Sequence, residues 1–110
     1  MDGIKHTVDG VEYTLEHLTR YMHHRIMAMI ADGGEERLME TVGRAAYRFL
    51  PYILIGAPGI PARARCEIDG VPCQRIDPVW VANSIEGLTA IALLRAALDA
   101  AKPSETETKN

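Results

Sequence analysis

Apolar and polar positions alternate at the start of the chain. Ile4 to Leu15 reads IKHTVDGVEYTL, with Asp9-Gly10 at its centre. Asp-Gly between alternating residues is a strong hairpin signal, because both turn positions need a positive φ. With that turn, Ile4, His6, Val8, Val11, Tyr13 and Leu15 share one side of the ribbon. Lys5, Thr7, Glu12 and Thr14 share the other, so one face is apolar and needs a cover. The period then changes. Leu15, Leu18, Met22, Ile26, Met29 and Ile30 recur at three- and four-residue spacing and predict an amphipathic helix that Thr14 caps. Asp32-Gly33-Gly34 ends it. Glu35, Glu36 and Glu40 open a second helix, whose buried stripe is Leu38, Val42, Ala45, Ala46 and Phe49. Pro51 limits or kinks that helix. Tyr52 to Ala57 is either one more helical turn or a buried extended segment, and Pro58-Gly59-Ile60-Pro61 predicts a surface loop.

Arg65 to Ile76 contains a second hairpin signal at Asp69-Gly70. Ile68-Asp69-Gly70-Val71 matches Val8-Asp9-Gly10-Val11, and a helix follows each. This is either an internal duplication or two independent uses of a good turn. In either case the two hairpins have the means to pair into one small sheet. Asp77-Pro78 starts a helix, since Asp caps and Pro suits the first helical position, and Val79 to Asn83 is either a short helix, re-capped at Asn83-Ser84, or the first turns of the long one. Ser84 to Ala101 is then a long helix, with ten alanines and leucines in eighteen positions. Its polar stripe of Arg95, Asp99 and Lys102 is narrow, so it has more apolar surface than one sheltered side needs. Ile85, Leu88, Ala92 and Leu93 share one side of its wheel. Ala90, Leu94, Ala97 and Ala101, beside the polar stripe, are the residues expected to stay open and bind a partner. Lys102-Pro103 stops the helix, and residues 104–110, with no apolar side chain, predict a disordered tail.

The expected fold is therefore α+β and mostly helical. Three to four helices surround the long C-terminal helix, with two short β-hairpins, in a single domain over 1–102 and a polar tail over 103–110. The 110 residues suit one domain and are enough to bury a core without staples. A net charge of −3 argues against nucleic acid as a partner, although Arg44, Arg48, Arg63 and Arg65 would be the residues of a DNA-binding regulator. The six aromatic residues are too few for a base-stacking platform. No apolar run reaches the ~20 residues that span a bilayer, and Met1 to Gly10 lacks the pattern of a signal peptide. The expectation is a cytoplasmic protein with no membrane partner.

Candidate chemistry is sparse. Cys66 and Cys73 face each other across the second hairpin in a hydrogen-bonded pair and read as small residues on its core face. A zinc site would need two further ligands, and CEIDGVPC is not a knuckle. A small thiol- or metal-dependent enzyme would have to use these cysteines with a histidine. His17, His23 and His24 lie on the polar side of the first helix without HExxH spacing. No GK[ST] follows Gly33-Gly34 or Gly59, and Ser84 has no nucleophile-elbow motif. No enzyme, cofactor or metal is expected.

The layout nonetheless resembles a known family. The start IKHTVDGVEYTLEHL is an x-G-x-x-Y-x-L hairpin entering a helix. A helical body follows, then RIDPVWVANSIEGLTAIALLRAAL and a polar tail. This is similar to the small tail assembly chaperones of long-tailed bacteriophages, which are mostly helical with a small β element near the start. The resemblance implies a protein of the host cytoplasm that binds the tape-measure protein and tail-tube subunits during assembly. Such a protein is absent from the finished virion, can form a homo-oligomer, and in many members has a longer frameshifted form. No catalytic residue is implied. The rival reading is a small phage or mobile-element inhibitor or adaptor that binds a larger host complex.

Overall fold

The structure is a computed structural model and describes residues 3–101. It is α+β, with four helices and two antiparallel sheets. Strands β1 (Ile4–Val8) and β2 (Val11–Leu15) form the first hairpin, with Ile4 opposite Leu15 and Val8 opposite Val11. Helix α1 covers Arg20–Asp32 and α2 covers Leu38–Ile53. Strand β3 (Leu54–Gly56) pairs antiparallel with β2, giving the order β1-β2-β3. Strands β4 (Ala64–Ile68) and β5 (Val71–Arg75) form a separate two-stranded sheet. Helices α3 (Pro78–Ser84) and α4 (Gly87–Ala101) complete the fold.

Both Asp-Gly turns form as the sequence predicts. Asp9 and Asp69 have φ of 51° and 52°, and Gly10 and Gly70 both have φ of 79°. Positive φ at both central positions is the hairpin-turn geometry that matches strand twist. The likeness of the turns follows from this shared demand, and the elements after them differ: a 13-residue helix after the first and a 7-residue helix after the second. The hairpins do not join into one sheet. The first uses its β2 edge for β3, while the second is held by side chains and by Ile76 N–H donating to the Pro51 carbonyl at 2.9 Å. Gly70→Ala places a Cβ in left-handed backbone and is expected to cost about 1–2 kcal/mol. Chemical denaturation compared with wild type measures it.

Three element boundaries differ from the sequence reading. Helix α1 starts five residues later than Leu15, because Thr14 and Leu15 belong to the ladder, opposite Gly56 and Leu54. Thr19 is the cap, its hydroxyl accepting from the Met22 N–H at 3.1 Å. Helix α2 begins at Leu38, so of the three glutamates only Glu40 sits in its first turn, 3.2 Å from Arg44 one turn on. The stretch after Pro51 is both things the sequence allowed. Tyr52 and Ile53 finish α2, and Leu54 turns extended with ψ of 117° to enter β3.

The third difference concerns the last helix. Ser84–Ala101 is not one helix: α3 ends at Ser84, Ile85 is its extended C-cap, and α4 starts at Gly87. The chain bends by 119° from one helix to the next. The core lies where α4 crosses α2 and the β1–β2 ribbon. Leu15, Ile26, Leu50, Leu54, Ile76, Val81, Leu93 and Leu94 are fully buried there. Among the described residues, no single helix is long and apolar enough to cross a membrane. The polar tail, Lys102 and Pro103 lie outside the described residues.

Candidate functional site

Helix α4 does have apolar surface to spare, but on a different face from the one expected. Ala90, Leu94 and Ala97 are 0 % exposed, and only Ala101 of the four predicted residues is open. The buried stripe is Thr89, Ala90, Leu93, Leu94 and Ala97, wedged between α2 and the first hairpin. The physical reason is the break at Ile85. The wheel placed Ile85 and Leu88 on one apolar side, but Ile85 sits at the corner before α4 and does not set that helix's phase. Leu88 is instead 77 % exposed, with Ile91 and Ala92 half-buried behind it.

This open face continues onto α2. Met39, Gly43 and Tyr47 follow one another at four-residue spacing on α2, which places them on one face. Met39 is 61 % exposed. A Cβ added at Gly43 would touch the Ile91 side chain at 3.7 Å, and the Tyr47 hydroxyl donates to the Ile85 carbonyl at 2.6 Å. The two helices therefore run antiparallel, with Gly43 beside Ile91 and Tyr47 beside the α3–α4 corner. Gly43 and Ile91 are neighbours where the helices meet, with Met39 one turn before Gly43 on α2 and Leu88 three residues before Ile91 on α4. Val79 on α3, 62 % exposed, adds an apolar side chain at the residue after Pro78.

A second feature is a cleft of about 550 Å³ between the second hairpin, the segment before α1 and the end of α2. Tyr21, Met22, Ile53, Ile68, Pro72 and both cysteines border it. Two clasps hold the hairpin over it. At the tip, the Asp69 carboxylate receives hydrogen bonds from the Arg25 guanidinium and from the Tyr21 hydroxyl. At the base, Arg63 reaches Glu16 at 3.3 Å and donates to the Tyr52 and Gln74 carbonyls at 3.0 and 3.2 Å. Neither clasp was visible in the sequence, since nothing local marks Arg63 or Arg25 as a bridge between distant elements.

Cys66 and Cys73 occupy the predicted opposed positions, both half-buried, with Sγ atoms 3.1 Å apart. Burial pushes the Cys73 thiol up to about 11, and the Cys66 sulfur beside it adds to the rise. His17 borders the cleft but precedes α1, so it shares no helix face with His23 and His24. Among the described residues, no group of three or more His, Cys, Asp or Glu is arranged to hold a metal ion. The four arginines of the DNA-binding reading are divided: Arg44 pairs with Glu40, Arg48 lies over the Phe49 ring, and Arg63 is a clasp. Arg65 is exposed at the cleft.

No family model matches this chain, and no curated protein and no solved structure is similar to it.

Proposed function

We propose that this chain is a non-enzymatic protein-binding protein, and specifically a phage tail assembly chaperone that binds tape-measure and tail-tube proteins in the host cytoplasm. The observation that carries this is the apolar seam of α2 and α4. Leu88 at 77 % and Met39 at 61 % exposure lie on two helices that meet at Gly43 and Ile91 and bury their inner faces in the core. Large apolar side chains grouped in this way mark interaction surfaces. Methionine, unbranched and polarisable, suits a surface that must accept several sequences, as along a tape-measure helix. The hairpin that leads into a helical body accords with the resemblance noted above.

The test is light scattering coupled to size exclusion, with and without a helical fragment of the cognate tape-measure protein. A complex heavier than either component is expected. A chain that remains a monomer and ignores both the tape-measure fragment and the tail-tube subunit overturns the reading. Binding to a host nuclease or polymerase in place of either tail protein transfers it to the inhibitor class.

A further inference from the structure

We infer that Cys66 and Cys73 form a dithiol redox site that reacts with small disulfides, of the glutathione disulfide class, through the cleft under the second hairpin. The inference is independent of the partner-binding reading and uses a different face of the molecule. The two residues are direct cross-strand partners, with Sγ atoms 3.1 Å apart. They form the third pair out from the Asp69-Gly70 turn. Hydrogen-bonded antiparallel pairs place their Cα atoms about 5.5 Å apart, inside the span that a disulfide bridges. Closing the bond therefore moves side chains and leaves the strands in register.

Access is the second requirement. Both thiols are half-buried and border the 550 Å³ cleft, so a small disulfide reaches them without opening the core. Arg65 stands at the same cleft and supplies positive charge for a carboxylate-bearing reagent. The clasps at Asp69 and Arg63 hold the hairpin at tip and base, with the cysteine pair between them and Cys73 packed against the core.

The reaction balances as two exchanges. Burial and the neighbouring sulfur disfavour the Cys73 thiolate, and the first attack is assigned to Cys66. The Cys66 thiolate attacks one sulfur of glutathione disulfide, and a glutathione thiolate leaves and takes a proton. Cys73 then gives up its proton to water or buffer, and its thiolate attacks the Cys66 sulfur. The second glutathione leaves. The two protein thiols are oxidised to one disulfide, and glutathione disulfide is reduced to two thiols.

The experiment uses the full reduced chain in mixtures of reduced and oxidised glutathione, quenched with acid and read by intact mass and free-thiol count. As glutathione disulfide comes into excess, wild type is expected to lose both thiols together. The product is a monomer lighter by two hydrogen atoms, with no glutathione retained, and excess reduced dithiol restores both thiols. Cys73→Ser is expected to stall at the first exchange and keep one glutathione on Cys66. Wild type that keeps both thiols, carries two glutathiones or forms disulfide-linked dimers overturns the inference. The wild-type arm decides the matter even where a serine variant fails to fold.

Discussion

Leu94→Asp is expected to unfold the protein, while Leu88→Asp leaves its melting temperature close to wild type. Both substitutions put a carboxylate on an apolar position of α4, two turns or fewer apart. Leu94 is fully buried between α2 and the first hairpin, and Leu88 is 77 % exposed. An isolated buried carboxylate must be stripped of water or protonated, and replacing Leu also leaves unfilled volume. The combined cost is on the order of 5 kcal/mol, comparable with the ~5–15 kcal/mol that holds a domain of this size together. At Leu88 the new charge stays hydrated, and surface changes fall within about 0.5 kcal/mol. Circular dichroism melts of the pair settle which face of α4 is inside. Equal melting temperatures would mean that the two positions are equally buried and would contradict this assignment of the faces.

Phe49→Ala is expected to cost about 3–5 kcal/mol. Phe49 is 1 % exposed and lies on the face of α2 that meets α1 beside Met29, with the Arg48 guanidinium 5.9 Å from its ring centre. Truncation loses the transfer energy of the ring and leaves a cavity. α1 has little means of collapsing into that cavity, because it is held at its start by the Thr19 cap and near its middle by the Arg25–Asp69 clasp. Phe49→Leu keeps most of the volume and should cost well under half as much. Urea titrations with unchanged slope would assign the whole effect to stability. A loss below 1 kcal/mol for the alanine variant would show that the α1–α2 contact contributes little.

Local signals predicted the local structure well. Asp-Gly fixed both turns and both five-residue registers, and the cysteines faced each other because the turn left them no alternative. The α+β class and the burial of Ala45, Ala46 and Phe49 followed from spacing, whereas Leu38 of the same stripe is 47 % exposed at the first position of α2 and Val42 is half-buried. The failures share one cause, which is that a distant element decided a local choice. Thr14 and Leu15 read as the end of the hairpin and equally well as the entry to a helix, and their pairing with β1 on one side and β3 on the other kept them strand. The hairpins looked alike enough to join, but the β2 edge was taken. The break before α4 had a weak signal in Glu86-Gly87, inside a stretch so rich in alanine and leucine that one continuous helix was the simpler pattern. Missing it rotated the assignment of the helix face, and with it the candidate binding residues. The Arg63 and Arg25 clasps left no trace, since a side chain that bridges elements 44 or 47 positions apart obeys no local period.

The α2–α4 seam as a partner surface is tested most directly by the affinity of a tape-measure fragment for wild type and for Leu88→Asp, measured by calorimetry on folded protein. An apolar anchor at the centre of an interface is worth about 2 kcal/mol or more, so the variant is expected to bind at least about thirtyfold more weakly with its melting temperature unchanged. Equal affinity for the two proteins would contradict the seam as the binding surface.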